Sequence, residues 1–118
     1  MMKQNIGLLT LSAVAAEAIT KGQLVTLDGK IAVAGKDAHG VAAYNATVGD
    51  IFPVLVAGTA VVKTASALTV GKRIEVGATG QAAAHTTGIP VGIALETVDS
   101  GDYVEILVGS AGIAGAAV

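Results

Sequence analysis

The sequence lacks several residue types on which protein chemistry commonly depends. It has no cysteine, which excludes disulfides, thiolate metal ligands and a thiol nucleophile. It has no tryptophan, and its aromatic side chains are limited to Tyr44, Phe52 and Tyr103. Charged residues make up 14% of the chain, against about 25% in an average soluble domain. The seven basic and nine acidic residues are scattered, so phosphate-driven binding of nucleic acid is not expected.

A long apolar run is also missing. The longest uncharged stretch, residues 76–95, contains Gln81, His85 and Pro90, so it does not supply the about 20 predominantly apolar residues of a membrane-spanning helix. No membrane partner is therefore expected. Alanine and glycine instead make up a third of the 118 residues. The length predicts one domain, residues 1–118, and such small side chains gain little free energy from burial in its core.

Turn-forming residues divide the chain into short segments and predict an all-β fold with minimal helix. Glycines and Asp-Gly or Ser-Gly pairs recur too often for helices of ordinary length to fit between them. Residues 24–27 and 31–33 flank Asp28-Gly29-Lys30, a sequence that favours a tight hairpin turn. Residues 103–108 alternate in polarity, which predicts a strand with Val104, Ile106 and Val108 on one face.

Two further hairpins follow from the same reasoning. Residues 50–56 and 59–63 flank Ala57-Gly58, and this pair of segments is predicted to form a hairpin. Residues 73–76 and 81–84 flank Thr79-Gly80, which predicts another.

The two halves of the chain resemble each other. Residues 18–57 and 67–108 share their turns and strand patterns in the same order, with an offset that rises from 49 to 52 residues. A β-unit of this size buries too little surface to be stable alone. We therefore expect the two repeats to pair as a pseudo-twofold sandwich or barrel. Residues 1–17 form an N-terminal strand or arm in this scheme, and residues 109–118 form a C-terminal tail.

Residues suited to catalysis are few and isolated. The two imidazoles, His39 and His85, lie in predicted turns, where a solvated histidine is the expected state. Lys30 lies at a hairpin tip, as does the modified lysine of biotin or lipoate carriers, but its flanking residues Gly29 and Ile31 do not fit those carriers. Neither a Walker-type loop nor a Gly-x-Gly-x-x-Gly sequence is present. We therefore expect no catalytic residues, no metal site, no cofactor and no enzymatic activity.

The order of several glycine-led strands and Gly-Asp turns resembles a known family, the small head-decoration proteins of tailed bacteriophages, also called capsid-stabilising or cement proteins. The resemblance covers roughly residues 18–109. The segments that carry it are 39–42, 47–50 and 54–58 in the first half, and 67–71, 89–96 and 100–108 in the second half.

This resemblance implies a structural virion protein. Members of that family are β-rich, commonly homotrimeric, and bind the major capsid protein on the outer surface of the head, where they stabilise the shell. Two alternatives stay open at this point. One is a β-module of a phage tail or fibre, and the other is a prosthetic-group carrier or enzyme-associated β-module that uses Lys30.

The two termini are the predicted partner-binding segments. Residues 5–12 are apolar and uncharged, an arrangement suited to adding a strand to another subunit's sheet. The same residues are equally suited to be the domain's own first strand. The side chains predicted to contact a partner are Ile6, Leu8, Leu9, Leu11, Ile113 and Val118.

Overall fold

The computed structural model describes residues 6–108, with side chains from Leu9 onward. Eight β-strands and one short 3-10 turn form its regular structure, and these residues contain no α-helix. The all-β class predicted from the sequence is confirmed. The elements are β1 (Ile6–Val14), β2 (Leu24–Val25), β3 (Gly40–Ala42), β4 (Ile51–Lys63), β5 (Arg73–Val76), the 3-10 turn (Ala78–Gly80), β6 (Ala82–Ala84), β7 (Gly92–Ala94) and β8 (Tyr103–Val108).

The strands form one sheet that is nearly closed into a barrel. The order along the sheet is β2-β3-β4-β8-β7-β5-β6, and β1 pairs with β4 outside that path. Each pairing between these strands is antiparallel. The 13-residue β4 therefore connects the first half of the sheet to the second half.

Three strands share the two edges of β4. Leu55 pairs with both β1 and β3, and Gly58 pairs with both β1 and β8. A residue in a sheet has one neighbouring strand on each edge. It follows that β1 occupies one edge of β4, while β3 and β8 share the other.

The continuous β4 shows that the hairpin predicted around Ala57-Gly58 is wrong. Gly58 has a φ of +115°, but Ala57 does not have the positive φ that a two-residue type I′ turn requires at both central positions. Both residues instead pair with β1. Partners on both edges keep the chain extended through this point, so the alanine-glycine pair does not reverse it.

The other two predicted hairpins are present. In the first, Thr26 N–H donates to Lys30 O over 2.9 Å and Gly29 N–H donates to Thr26 O over 3.1 Å. Gly29 has a φ of +85°, and a Cβ atom there would lie 1.8 Å from the carbonyl oxygen of Val14, so this turn requires glycine. In the second, β5 pairs with β6 across the 3-10 turn.

Two clusters of buried side chains form the core. The first cluster lies within the first half of the chain, and the second cluster joins both halves. The first consists of Ala13, Ala15, Ile19, Val25, Ala42, Ala46, Phe52 and Val54. The second consists of Leu24, Ala32, Ala38, Val41, Leu55, Ala60, Val62, Leu68, Ile74, Val76, Ala82, Val91, Ala94, Val104, Ile106 and Val108.

Strand pairings in the first half have counterparts in the second half, at the offsets of 49 and 52 residues seen in the sequence. The clearest case is a row of three side chains that face each other directly across three neighbouring strands. Because directly opposed residues lie on one face of a sheet, each row forms a continuous strip. The first row is Leu24, Val41 and Leu55, and the second row is Arg73, Ile93 and Leu107.

Candidate interaction surfaces

The residues considered for chemistry lie in two places: His39 contacts the hairpin that carries Lys30, and His85 lies in the loop after β6. The Nδ1 atom of His39 accepts a hydrogen bond from Leu27 N–H over 2.8 Å. The Nε2 atom of His85 lies 2.8 Å from the carbonyl oxygen of Gly88. Lys30 is exposed in its hairpin turn. Within residues 6–108 no three histidine or acidic side chains come together in a group that could hold a metal ion.

Two carboxylates, the half-buried Glu75 and the exposed Asp50, support the turns around them. Glu75 accepts hydrogen bonds from Thr86 N–H over 2.7 Å and from Gly88 N–H over 3.1 Å. The bond from Thr86 is the main reason why the pKa of Glu75 is lowered. Asp50 accepts from both the N–H and the hydroxyl of Thr47, and these bonds lower the pKa of Asp50. Both acidic side chains therefore have a structural role in their loops.

Glu105 is the acidic side chain that sequence reasoning misplaced. The alternation in β8 put Tyr103, Glu105 and Leu107 on one face, yet Glu105 is only 2% exposed while the other two are exposed. Its backbone N–H donates to a carboxylate oxygen of Glu96 over 3.0 Å. Its own Oε1 atom is buried and has no hydrogen-bond partner among the described residues. Alternating polarity along a strand does not reveal which of its faces the rest of the chain covers.

The most exposed part of the sheet is β1. Side chains alternate along a strand, so Leu11 lies on the same face as the buried Ala13. The register with β4 shifts on both sides of Leu9. Nevertheless Leu9 is 51% exposed and Leu11 is 40% exposed, and the intervening Thr10 is exposed on the opposite face. In the described part of the chain, β4 is the one strand that pairs with β1. Among residues 6–108, β1 therefore has one backbone edge with no partner strand, together with exposed apolar side chains.

A second apolar surface lies beside the end of β1. Val14, Leu27 and Ile51 line a shallow groove together with Ser12 and Asp28. The three apolar side chains are exposed, and Ile51 is the most exposed of them at 73%. We call this surface the Ile51 groove.

A third exposed surface is the second row. Arg73 and Leu107 are exposed and Ile93 is half-buried. Sequence reasoning did not single out this row as a surface. The alignment of the two halves could have located it, because the second row aligns with three apolar residues in the first half.

The structure locates the predicted partner-binding residues only in part. Leu9 and Leu11 lie on β1 and are exposed. Ile6 and Leu8 also lie on β1, where the backbone is described but the side chains are not. Ile113 and Val118 lie outside the described residues. The partner-binding role of all six residues stays a prediction.

These features together define an all-β protein with exposed apolar surfaces. Residues 6–108 include no helix long and apolar enough to cross a membrane. The chain belongs to the phage cement protein family, which it matches over residues 3–110. The resemblance drawn from the sequence is thereby confirmed, and the family is one of structural phage proteins.

Comparison with solved structures supports the same fold. The chain is similar to the N base of head fiber gp8.5 of bacteriophage phi29, with a TM-score of 0.67 and 20% sequence identity. The match covers 86% of this chain and 94% of that chain. At this identity the likeness shows a shared fold. No curated protein matches the sequence.

Proposed function

We propose that this protein is a structural virion component that binds the major capsid protein on the outer surface of a phage head and stabilises the shell. The observation that carries this proposal is the match to the phage cement protein family over residues 3–110. A protein with this function needs contact surfaces and no reactive centre. It is accordingly proposed to lack enzymatic activity.

The exposed surfaces fit such a role. An edge strand with free backbone groups can add to a neighbouring sheet, and exposed apolar side chains mark protein contacts. β1 has both features, and the Ile51 groove adjoins it. We assign capsid attachment to the Ile51 groove together with the terminal segments, residues 1–12 and 109–118.

Self-association is the second part of the proposal. We propose a homotrimer, because the alanine- and glycine-rich chain leaves large apolar side chains exposed that association would cover. Family resemblance supports this oligomeric state.

The likeness to a head-fiber base favours a second candidate function. In that case the protein would form the attachment point of a fibre on the head and would not itself reinforce the shell. Cryo-electron microscopy of the particle separates the two, because a fibre base carries a projecting rod of density and a cement protein forms a low knob between capsid subunits.

The direct test adds purified protein to heads that lack it. We expect retention of the protein on sedimented heads and a higher temperature of head disruption. Ile51→Asp should reduce retention, and Val48→Asp, at an equally exposed valine in a turn, is the matched control. Separate deletions of residues 1–12 and 109–118 test the terminal segments. Full retention by Ile51→Asp and both truncations, all still folded, would place the capsid contact elsewhere; no retention of the wild type would refute the function.

A further inference from the structure

A polar pocket lies where the two halves of the chain meet at the end of β4. Residues 20–23 line it from the first half, Lys63 from the last position of β4, and Thr79, Gln81 and Tyr103 from the second half. Its volume is about 130 Å³. A cavity of roughly 150 Å³ holds a molecule of the size of benzene, so a carboxylate side chain fits here. We call this site the Lys63 pocket.

One wall of the pocket is held in place by the side chain of Gln23. Its Oε1 atom accepts a hydrogen bond from Thr20 N–H over 2.8 Å, and its Nε2 atom donates to Thr79 O over 2.9 Å. Thr79 has a φ of +53°, and no other non-glycine residue in the part of the chain that the structure describes has a positive φ. This conformation is unfavourable for a β-branched residue and persists where its surroundings hold it. These contacts therefore preform this wall before any ligand enters.

The residues around the pocket favour an anion. Lys21 and Lys63 line it, and none of the described residues that line it is acidic. Both lysines are exposed, and a flexible stem allows each ammonium group to reach a ligand in the pocket. Tyr103 and Gln81 add a hydroxyl and an amide, which are neutral hydrogen-bond donors. Asp102, which precedes Tyr103, lies outside the lining.

The Lys63 pocket and the Ile51 groove occupy different places on the molecule. Ile51 is the first residue of β4 and Lys63 is the last of its 13 residues. Their chemistry also differs, since the groove is mainly apolar and the pocket is cationic. One side chain of a partner cannot occupy both sites. A group bound in the pocket therefore forms a separate contact.

We infer that the Lys63 pocket binds an acidic side chain of the major capsid protein. A carboxylate can accept charge-assisted hydrogen bonds from Lys21 and Lys63 and a further bond from the Tyr103 hydroxyl. Sites for cofactors and other small molecules usually have volumes of roughly 300–1,000 Å³, so the pocket is too small for a nucleotide. The inference deepens the capsid attachment proposed above and rests on it: the lining sets the chemistry of the ligand, and the proposed function supplies its source.

Binding of propionate tests the pocket without the capsid. Propionate has the same non-hydrogen atoms as a glutamate side chain. In nuclear magnetic resonance titrations at constant ionic strength, we expect saturable shifts of the backbone amides of Lys21, Gly22 and Gln81. The double variant Lys21→Gln, Lys63→Gln should lose these shifts. The matched control is Lys36→Gln, at an exposed lysine outside the pocket, and it should keep them.

Sedimentation with heads that lack the protein tests the source of the carboxylate. At low salt the double variant should bind heads at least about tenfold more weakly than the wild type. The difference should shrink as the salt concentration rises, because ions screen exposed charges. Lys36→Gln should bind like the wild type. Circular dichroism checks folding, and the single variants Lys21→Gln and Lys63→Gln, each expected to lose about threefold, replace the double variant if it unfolds.

The other outcomes each overturn a stated part of the inference. No saturable shift with propionate overturns the pocket as a carboxylate site, whatever the heads show. Tighter binding of inorganic phosphate than of propionate assigns the pocket to a phosphate group and also overturns it. Propionate binding together with full retention of the double variant leaves capsid attachment standing but overturns the source of the carboxylate. A wild type that heads do not retain refutes the proposed function and this source with it.

Discussion

The two halves of the chain have matching strand pairings but opposite environments. Leu24 of the first row is almost completely buried, and its counterpart Arg73 is exposed. Polarity follows exposure at this pair but not at Leu55 and Leu107, since Leu107 is exposed and yet apolar. β1 also departs from the rule, because Leu11 is 40% exposed where the matching Ala60 is buried. Exposed apolar side chains on an edge strand promote aggregation unless something covers them, which supports the proposed role of β1 in partner contacts.

The buried pairs of the two halves differ in a second way. The first half pairs the small Ala13 with the large Phe52, and the second half pairs Val62 with Val104. All four side chains are nearly inaccessible. The two pairs therefore have a similar total side-chain volume, which is divided differently between their members. Cores tolerate such volume-conserving exchanges best.

The largest expected effect comes from the glycines that begin β3 and β7. A Cβ atom at Gly40 would lie 2.3 Å from the carbonyl oxygen of Leu55, and one at the matching Gly92 would lie 2.8 Å from the carbonyl oxygen of Leu107. We expect Gly40→Ala to lower the free energy of unfolding by about 3 kcal/mol and Gly92→Ala by about 1–2 kcal/mol. Urea denaturation measures both. Equal losses would show that the two halves accommodate strain alike.

Replacing one buried pair by the other tests whether the two pairs fill equivalent volumes in the core. Phe52→Val should cost about 2 kcal/mol, since it leaves a cavity beside Ala13. Adding Ala13→Val recreates the valine pair of the second half and should recover part of that loss. The double variant and both single variants are compared by thermal and urea unfolding. Losses that simply add would contradict the proposed equivalence of the two pairs.

The carboxylate of Glu75 holds the loop after β6. We therefore expect the stability of the wild type to depend on pH more than that of a variant without this charge. The pKa of Glu75 is lowered from its usual 4.5 by the hydrogen bond from Thr86 N–H. A lowered folded-state pKa adds stability that is present above pH 4.5 and lost as the pH falls through the folded value. Glu75→Gln should therefore melt below the wild type at pH 7 and approach it in acid. A constant gap at all pH values would assign the effect to packing.

The smallest effects are expected at the three exposed residues that the sequence offers as candidates for chemistry. Changing His39, His85 or Lys30 to alanine should leave binding to heads intact and alter stability by no more than about 0.5 kcal/mol. Sedimentation with heads and thermal melting measure the two quantities. Intact mass of the wild type provides a separate check, since a covalent adduct on Lys30 would contradict the structural role.

Short-range patterns in the sequence predicted much of the fold. The Asp28-Gly29 hairpin, the turn near Thr79-Gly80 and the strand Tyr103–Val108 are all present. The turn at Ala57-Gly58 was not, because a glycine that permits reversal does not require it when partner strands lie on both sides. The burial of Glu105 was also missed, because alternation along one strand does not show which of its faces the rest of the chain covers.

The sequence by itself determined the all-β class, most of the turns, the lack of thiol chemistry and the family resemblance, because glycine positions, alternation and composition act over a few residues. Only the tertiary structure decided which matched surfaces are covered. Leu55 and Leu107 occupy matching positions in the strand pairings of the two halves, yet one is buried and the other is exposed. The reason is physical: burial depends on which part of the chain packs against each face, and the second cluster, which joins both halves, includes Leu55 but not Leu107.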